Sequence, residues 1–238
     1  MKQRFSTTRW TLIVKAGSED DDVAQQALAS LCESYWYPLY AFVRRKGHSP
    51  EDAEDVIQGY FAGFLEKGLV KKFRPEIGRF RTFILATLKH YLLHERDKKR
   101  ALKRGGNVYT LSLDADDAEN RYSLEPVDKN LTPDKVFERR WALNVLDRAL
   151  GKLEQASIKS GKGEQFAELS PYLVSGADDV PYSEVAEKLE MSDGAVRVAV
   201  HRLRKRFGQY LRDEVAVTGA DEADVQDELH HLIQVLSD

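Results

Sequence analysis

A single cysteine, Cys32, excludes an internal disulfide and leaves no CxxC or Cys/His cluster of the kind that holds structural zinc. Cys32 lies within an apolar helical pattern and has no base placed beside it, so it reads as a buried thiol rather than a nucleophile. No stretch reaches the ~18 apolar residues that a membrane span needs. The opening MKQRFSTTRWTLIV has neither a long apolar core nor a small-residue cleavage site, so it is no secretory signal. Together these absences point to a cytoplasmic protein without membrane insertion. Glycine (15 of 238) and proline (7) are sparse, which favours helix over sheet. The acidic runs DADD and DD lack a structural frame and read as solvated charge, not as the clustered carboxylates of a metal-dependent nuclease. His230–His231 sits on an acidic tail helix and reads as surface. No enzymatic activity, metal or cofactor is expected.

What the chain does have is patterned charge. Apolar residues make up 42% and charged residues 32%, which suits a helical chain with extensive solvated faces. The net charge of −3 hides an uneven distribution. Residues 89–104 hold seven Lys/Arg against two acids, and residues 194–212 hold six and no acid. Residues 114–128 sum to −5, and the tail 213–238 has eight acids with no Lys or Arg. Two basic islands separated by acid suggest two contacts with a polyanion; each island alone also fits a solvated helix face.

The pattern is helical throughout. Leu28, Leu31, Tyr35, Leu39 and Phe42 recur at helical spacing between Ala24 and Lys46, with Pro38 expected to kink or interrupt them. Ser49-Pro50-Glu51-Asp52 is a cap, a proline at the first helical position and an acidic first turn. The helix it starts has Ala53, Val56, Ile57, Tyr60, Phe61 and Phe64 on one face and Glu51, Asp55 and Gln58 on the other, and Gly68 closes it. After a loop broken by Pro75 and Gly78, residues 79–103 are helical, apolar at the start and cationic at the end. Residues 105–131, with Gly105-Gly106 and Pro126, look like a linker; VYTLSL within them is a possible isolated strand. Thr132-Pro133-Asp134 starts another helix, through Gln155, followed by a short amphipathic helix over 163–174.

The most specific signal follows. Pro181 to Glu190 forms a short helix with Val185, Ala186 and Leu189 inward. Met191 to Gly194 is a turn in which Ser192 can cap the next helix, whose stripe is Val196, Val200, Leu203 and Phe207. This is the spacing of a helix-turn-helix, whose second helix enters the major groove. With that stripe inward, Arg197, Val198, His201 and Arg202 project outward, and Arg204, Lys205 and Arg206 follow. Arginine can pair with guanine and cations can neutralise phosphates. In the earlier block FRTFILATLKHYLLHERDKKRALKR, rings alternate with cations, as suits a protein that holds unpaired bases by stacking. Phe80, Phe83 and Tyr91 fit a core stripe equally well.

AEDVIQGYF with FRTFILATLKHYLLHERDKKR resembles the second conserved domain of extracytoplasmic-function (ECF) sigma factors. YSEVAEKLEMSDGAVRVAVHRLRKRF resembles their fourth, in the right order. STTRWTLI and DVQDELHHLIQVL are similar to a subgroup with a C-terminal extension. The resemblance covers about 24–104 and 134–212. It implies an all-α fold of two small helical domains joined by an acidic linker: an N-terminal segment 1–23, a second domain 24–104, a linker 105–133, a fourth domain 134–215 and an acidic extension 216–238. It implies a sigma factor that binds core RNA polymerase and promoter DNA, monomeric when free. An anti-sigma factor or its own extension is a candidate regulator.

Carried over by position, the resemblance gives Asp55 and Gln58 to the polymerase. It gives Lys72, Arg74, Arg79, Phe80, Phe83, His90, Arg96, Lys99 and Arg100 to the melted minus-ten element. Arg197, Val198, His201, Arg202 and Lys205 go to the minus-thirty-five element. Three departures stand out. His90 replaces a frequent Asn, Val198 and Ala199 replace polar residues, and residues 156–179 read as an insertion. The tail 221–236 has a helical stripe of Val225, Leu229, Leu232, Ile233 and Leu236. Its charge is expected to mask the recognition helix, or the tail simply completes the domain. A helix-turn-helix regulator that never joins the polymerase is the alternative function.

Overall fold

The computed structural model describes residues 22–74, 78–101, 115–124, 131–174, 181–217 and 221–237, and among them every regular element is helical. The all-α expectation therefore holds. The chain divides into two compact units, 1–144 with 216–238, and 145–215. This division differs from the expected boundaries at two places: the start of one long helix and the whole tail belong with the first unit.

In the first unit, α1 spans Asp22–Arg45, α2 Pro50–Glu66 and α3 Phe80–Ala101. Pro38 does not interrupt α1. A proline removes the N–H that would bond to the carbonyl four residues back. That carbonyl, of Ser34, instead accepts from the Asn144 side-chain amide at 2.6 Å. The Ser49 side chain caps α2 by accepting from the Asp52 N–H at 3.1 Å, with Pro50 at the first helical position. Gly68 turns the chain after α2 at φ 55°, into a short 3-10 turn over Leu69–Lys72.

Tyr60, Phe61 and Phe64 of α2 and Phe80, Ile84 and Leu88 of α3 are at most 2% exposed. Burial of such side chains contributes roughly 1.5–3 kcal/mol each. The Tyr60 hydroxyl, sealed in this core, donates to the Ile84 carbonyl at 3.0 Å and lies 2.7 Å from the Thr87 hydroxyl. Gly59 makes room for the α3 side chain above it: a Cβ there would meet the Tyr91 hydroxyl at 2.6 Å.

Within the expected linker lies a helix, α4 (Ala115–Leu124). Glu119 of α4 accepts from the Tyr40 hydroxyl at 2.5 Å and from Arg44 Nε and Nη2, both at 2.9 Å. The Arg44 and Arg121 guanidiniums lie over the Tyr122 and Tyr37 rings. α4 is thus pinned to α1 by charge and ring contacts. VYTLSL lies outside the described residues.

Helix α5 (Pro133–Lys159) is capped by Thr132, which accepts from the Lys135 N–H at 3.3 Å. Its residues to Asn144 belong to the first unit, with Val136, Phe137, Trp141 and Ala142 buried; those from Val145 belong to the second. The tail forms α10 (Glu222–Ser237) and completes the first unit, with Val225 and Leu232 buried.

The second unit consists of the end of α5, α6 (Gly163–Leu169), α7 (Pro171–Val174), α8 (Tyr182–Lys188) and α9 (Asp193–Val215). Leu153, Phe166, Leu169, Tyr172, Val185, Ala186, Val196, Val200 and Leu203 form its core. Residues 156–174 are therefore integral to this unit rather than appended to it. Glu214, buried at the end of α9, pairs with Arg148 at 3.1 Å and with Lys152. No helix among the described residues is long and apolar enough to cross a membrane.

Candidate nucleic-acid interface

The second unit builds its presenting surface from two short-range devices. α8 ends in a left-handed residue, Glu190 at φ 52°. The Met191 N–H returns to the Ala186 carbonyl at 2.9 Å and the Glu190 N–H to the Glu187 carbonyl at 3.2 Å, which is the Schellman arrangement. Ser192 then starts α9, its hydroxyl accepting from the Ala195 N–H at 3.3 Å. The inward stripe Val196, Val200 and Leu203 is at most 7% exposed. One consequence is that Arg197, Val198, His201, Arg202 and Lys205 are all exposed. The Arg197 guanidinium lies 4.7 Å from the centre of the Tyr182 ring, which holds it at the start of the helix.

Not every outward position is open to a groove of DNA. Ala199 is half-buried and packs on the core. With Val198, Arg202 and Arg206 it lines an open groove of about 490 Å³ whose other wall is Phe166, Leu169 and Met191. Arg204 is committed elsewhere: its Nε and Nη2 donate to the Tyr172 carbonyl at 3.2 and 3.0 Å, satisfying the end of α7.

In the first unit the candidate minus-ten residues divide into three groups. Lys72 and Arg74 are exposed, and Arg74 donates to the Lys71 and Phe73 carbonyls at 2.7 and 3.0 Å. His90 is exposed on α3, its Nε2 2.9 Å from that of His94. Beside the two imidazoles a crevice of about 420 Å³ opens, lined by Tyr60, Phe64, Lys67 and Thr87 among others. Arg79, Phe80 and Phe83 are occupied. Phe80 is 1% exposed and packs edge-on against Tyr35 and Phe73 at 5.3 and 5.1 Å. That withdraws it from the rings available to stack on a base. Phe83, half-buried, leans on Phe64, Phe73 and Phe80. Arg79 is enclosed by Asp224, Asp227 and Glu228. Arg96, Lys99 and Arg100 fall on the last turns of α3, and their side chains lie outside the described residues.

Asp55 and Gln58 are on the outward face of α2, Asp55 exposed and Gln58 bonded to Glu54 at 2.8 Å. Residue patterns missed two features. Arg81, 11% exposed, is clasped by Glu228 at 2.9 Å and Glu138 at 3.2 Å over the Trp141 ring. Glu119 is the other. Burial works against its charged form, but Arg44 and Tyr40 outweigh that and hold its carboxyl below the usual range. The acidity of the tail was a signal for the first feature, without an address. Burial, with Glu33 beside it, pushes the Cys32 thiol up to about 12, which leaves it unreactive. Among the described residues no group of three or more His, Cys, Asp or Glu is placed to hold a metal ion.

No curated protein and no solved structure matches the chain. Residues 31–102, which carry α2, the cationic turn and α3, match the family model of sigma-70 region 2. The match spans 72 of the 238 residues, and over that stretch the chain is similar to region 2 of the sigma-70 family.

Proposed function

We propose that the chain is a sigma factor of the extracytoplasmic-function type, with a C-terminal extension. It binds core RNA polymerase in the cytoplasm and directs promoter-specific initiation, without catalytic chemistry of its own. The observation that carries this reading is the coexistence, in this order on one chain, of a sigma-70 region 2 match and a helix-turn-helix with an exposed cationic face. Asp55 and Gln58 on the open face of α2 dock on the polymerase. Lys72, Arg74, Phe83 and His90, with Arg96, Lys99 and Arg100 beyond them, serve the minus-ten element. Arg197, Val198, His201, Arg202 and Lys205 face the upstream element, where a bidentate contact to a base supplies roughly 1–3 kcal/mol of discrimination.

The test is transcription in vitro from genomic DNA with core polymerase and the purified chain. Promoter-specific transcripts are expected. No transcripts and no copurification with core would overturn the reading; site-specific DNA binding in that case would mark a helix-turn-helix regulator instead. Arg197→Ala refines the assignment. A changed base preference identifies a base contact, and a uniform loss with a shallower salt slope identifies a phosphate contact.

A further inference from the structure

Helix α10 is held to the first unit by charge as much as by apolar contact. Val225 and Leu232 are its buried apolar residues, while Ile233 is 60% exposed. Against these stand the carboxylates. Arg79 contacts Asp224, reaches Asp227 at 2.9 Å and Glu228 at 3.2 Å. Arg81 binds the same Glu228, and Glu138 on the other side. Three of the tail's acids, Asp224, Asp227 and Glu228, are thus paired within the first unit.

The place they occupy is suited to an anion. α3 begins with two guanidiniums and has no acid in its first turn, so the positive end of the helix and the two arginines add their fields. The preceding turn exposes Lys72 and Arg74. The two arginines differ, however. Arg81 is 11% exposed, with Glu138 and the Trp141 ring as partners from α5, so part of its support is independent of α10. Arg79 is 26% exposed, and every ion pair it makes among the described residues is with α10. One partner, Asp227, is itself 68% exposed. The Arg79–Asp227 pair is therefore a rim pair, weak and labile to salt, whereas Asp224 and Glu228 are more enclosed.

We propose that Arg79 is a phosphate-backbone contact that α10 occupies in cis, so that DNA and the acidic tail compete for one guanidinium. The proposal rests on the DNA-binding reading above and adds to it a closed state of the free chain. In the closed state α10 both neutralises Arg79 and presents Asp221, Glu222 and Asp227 to any approaching duplex.

Binding of the full chain to a labelled duplex of arbitrary sequence, followed by fluorescence anisotropy across a salt series, tests this. Asp224→Asn with Asp227→Asn leaves the buried Glu228 and the apolar anchor in place. The expected result is roughly 3–10-fold tighter binding, with a salt slope steeper by about one. Arg79→Gln should erase that gain in the neutralised background and change the native chain less than about twofold. Unchanged affinity, or a gain that survives Arg79→Gln, overturns the proposal. Hydrogen exchange on the native chain is independent of any variant. Saturating DNA should accelerate exchange across 222–237, and unchanged or slower exchange there also overturns it. Promoter-directed transcription is scored separately. Transcription without competition removes the closed state and keeps the sigma-factor reading, and competition without transcription does the reverse.

Discussion

In the first unit Arg81 is 11% exposed between Glu138, Glu228 and the Trp141 ring, whereas in the second unit Arg202 and Lys205 stand exposed on α9 and, among the described residues, pair with no carboxylate. The two regions use the same residue type for opposite ends. A buried guanidinium requires partners on every side, because its desolvation has to be offset by charge and hydrogen bonds. An exposed one on a rigid helix costs the fold almost nothing and keeps its charge for a ligand. A helix-turn-helix needs the second arrangement. The first joins three segments, α3, α5 and α10, that are far apart in sequence.

The largest expected effect breaks that contrast at its buried end. Arg81→Ala removes the 2.9 Å partner of Glu228 and leaves Arg79, at 3.2 Å, as its remaining cation, and losing such a charged hydrogen bond costs roughly 1.5–3 kcal/mol. Urea unfolding followed by tryptophan fluorescence reads it directly, since Trp36 and Trp141 lie in the first unit and the second unit has no tryptophan. Arg202→Ala should change the helical transition of the second unit by no more than about 0.5 kcal/mol while weakening DNA binding. Equal losses of stability in the two variants would erase the distinction.

Acid sharpens the same contrast. The Glu119 carboxyl is held below its ordinary value of 4.5. Its contribution is therefore complete above that ordinary value and is lost as pH falls through the lower, folded one. α4 should detach from α1 below about pH 4.5, seen in the amide resonances of 119–123, with the α9 signals unmoved. Glu119→Gln should abolish the step; a step centred above 4.5 would mean another group is responsible.

The two serine caps make a matched pair. Ser49→Ala and Ser192→Ala each remove one hydroxyl acceptor at a helix start, at 3.1 and 3.3 Å. Each should cost about 1 kcal/mol. Only Ser192→Ala should also weaken DNA binding, because the helix it starts is the one that presents Arg197 and Arg202.

The caps, the stripe Val196–Val200–Leu203 and the helical character of the chain were all legible, because each depends on residues a few positions apart. What escaped reading depends on partners far along the chain. Glu119 makes α4 part of the fold through Tyr40 and Arg44, 79 and 75 residues away. Pro38 is tolerated because Asn144, 110 residues from Ser34, takes the orphaned carbonyl. Summed charge flagged the tail and its amphipathic stripe, but charge in a sequence has no direction, and Arg79 lies 145 residues from Asp224. Periodicity placed Phe80 and Phe83 on one face of α3 without deciding whether that face met DNA or the core; packing against Phe73 decided it for Phe80.

The smallest expected effect lies in the turn of the second unit. Glu190 is the one described non-glycine residue at positive φ, while Gly47, Gly68 and Gly161 take such positions elsewhere. A side chain there costs roughly 1–2 kcal/mol in crowding against the next carbonyl. Glycine would relieve that but lose about 0.5–1 kcal/mol in unfolded-chain entropy. Glu190→Gly should therefore raise the stability of the second unit by about 0.5–1 kcal/mol, read from thermal unfolding by circular dichroism. The first unit offers the control, since its tryptophan-monitored transition should not move. A loss of stability would show that the Glu190 side chain contributes more than its backbone strain costs. A gain accompanied by tighter DNA binding would carry the comparison one step further. The acid beside α9 would then oppose DNA locally, as the acids of α10 are proposed to do at Arg79, and both units would restrain their cations by the same physical means.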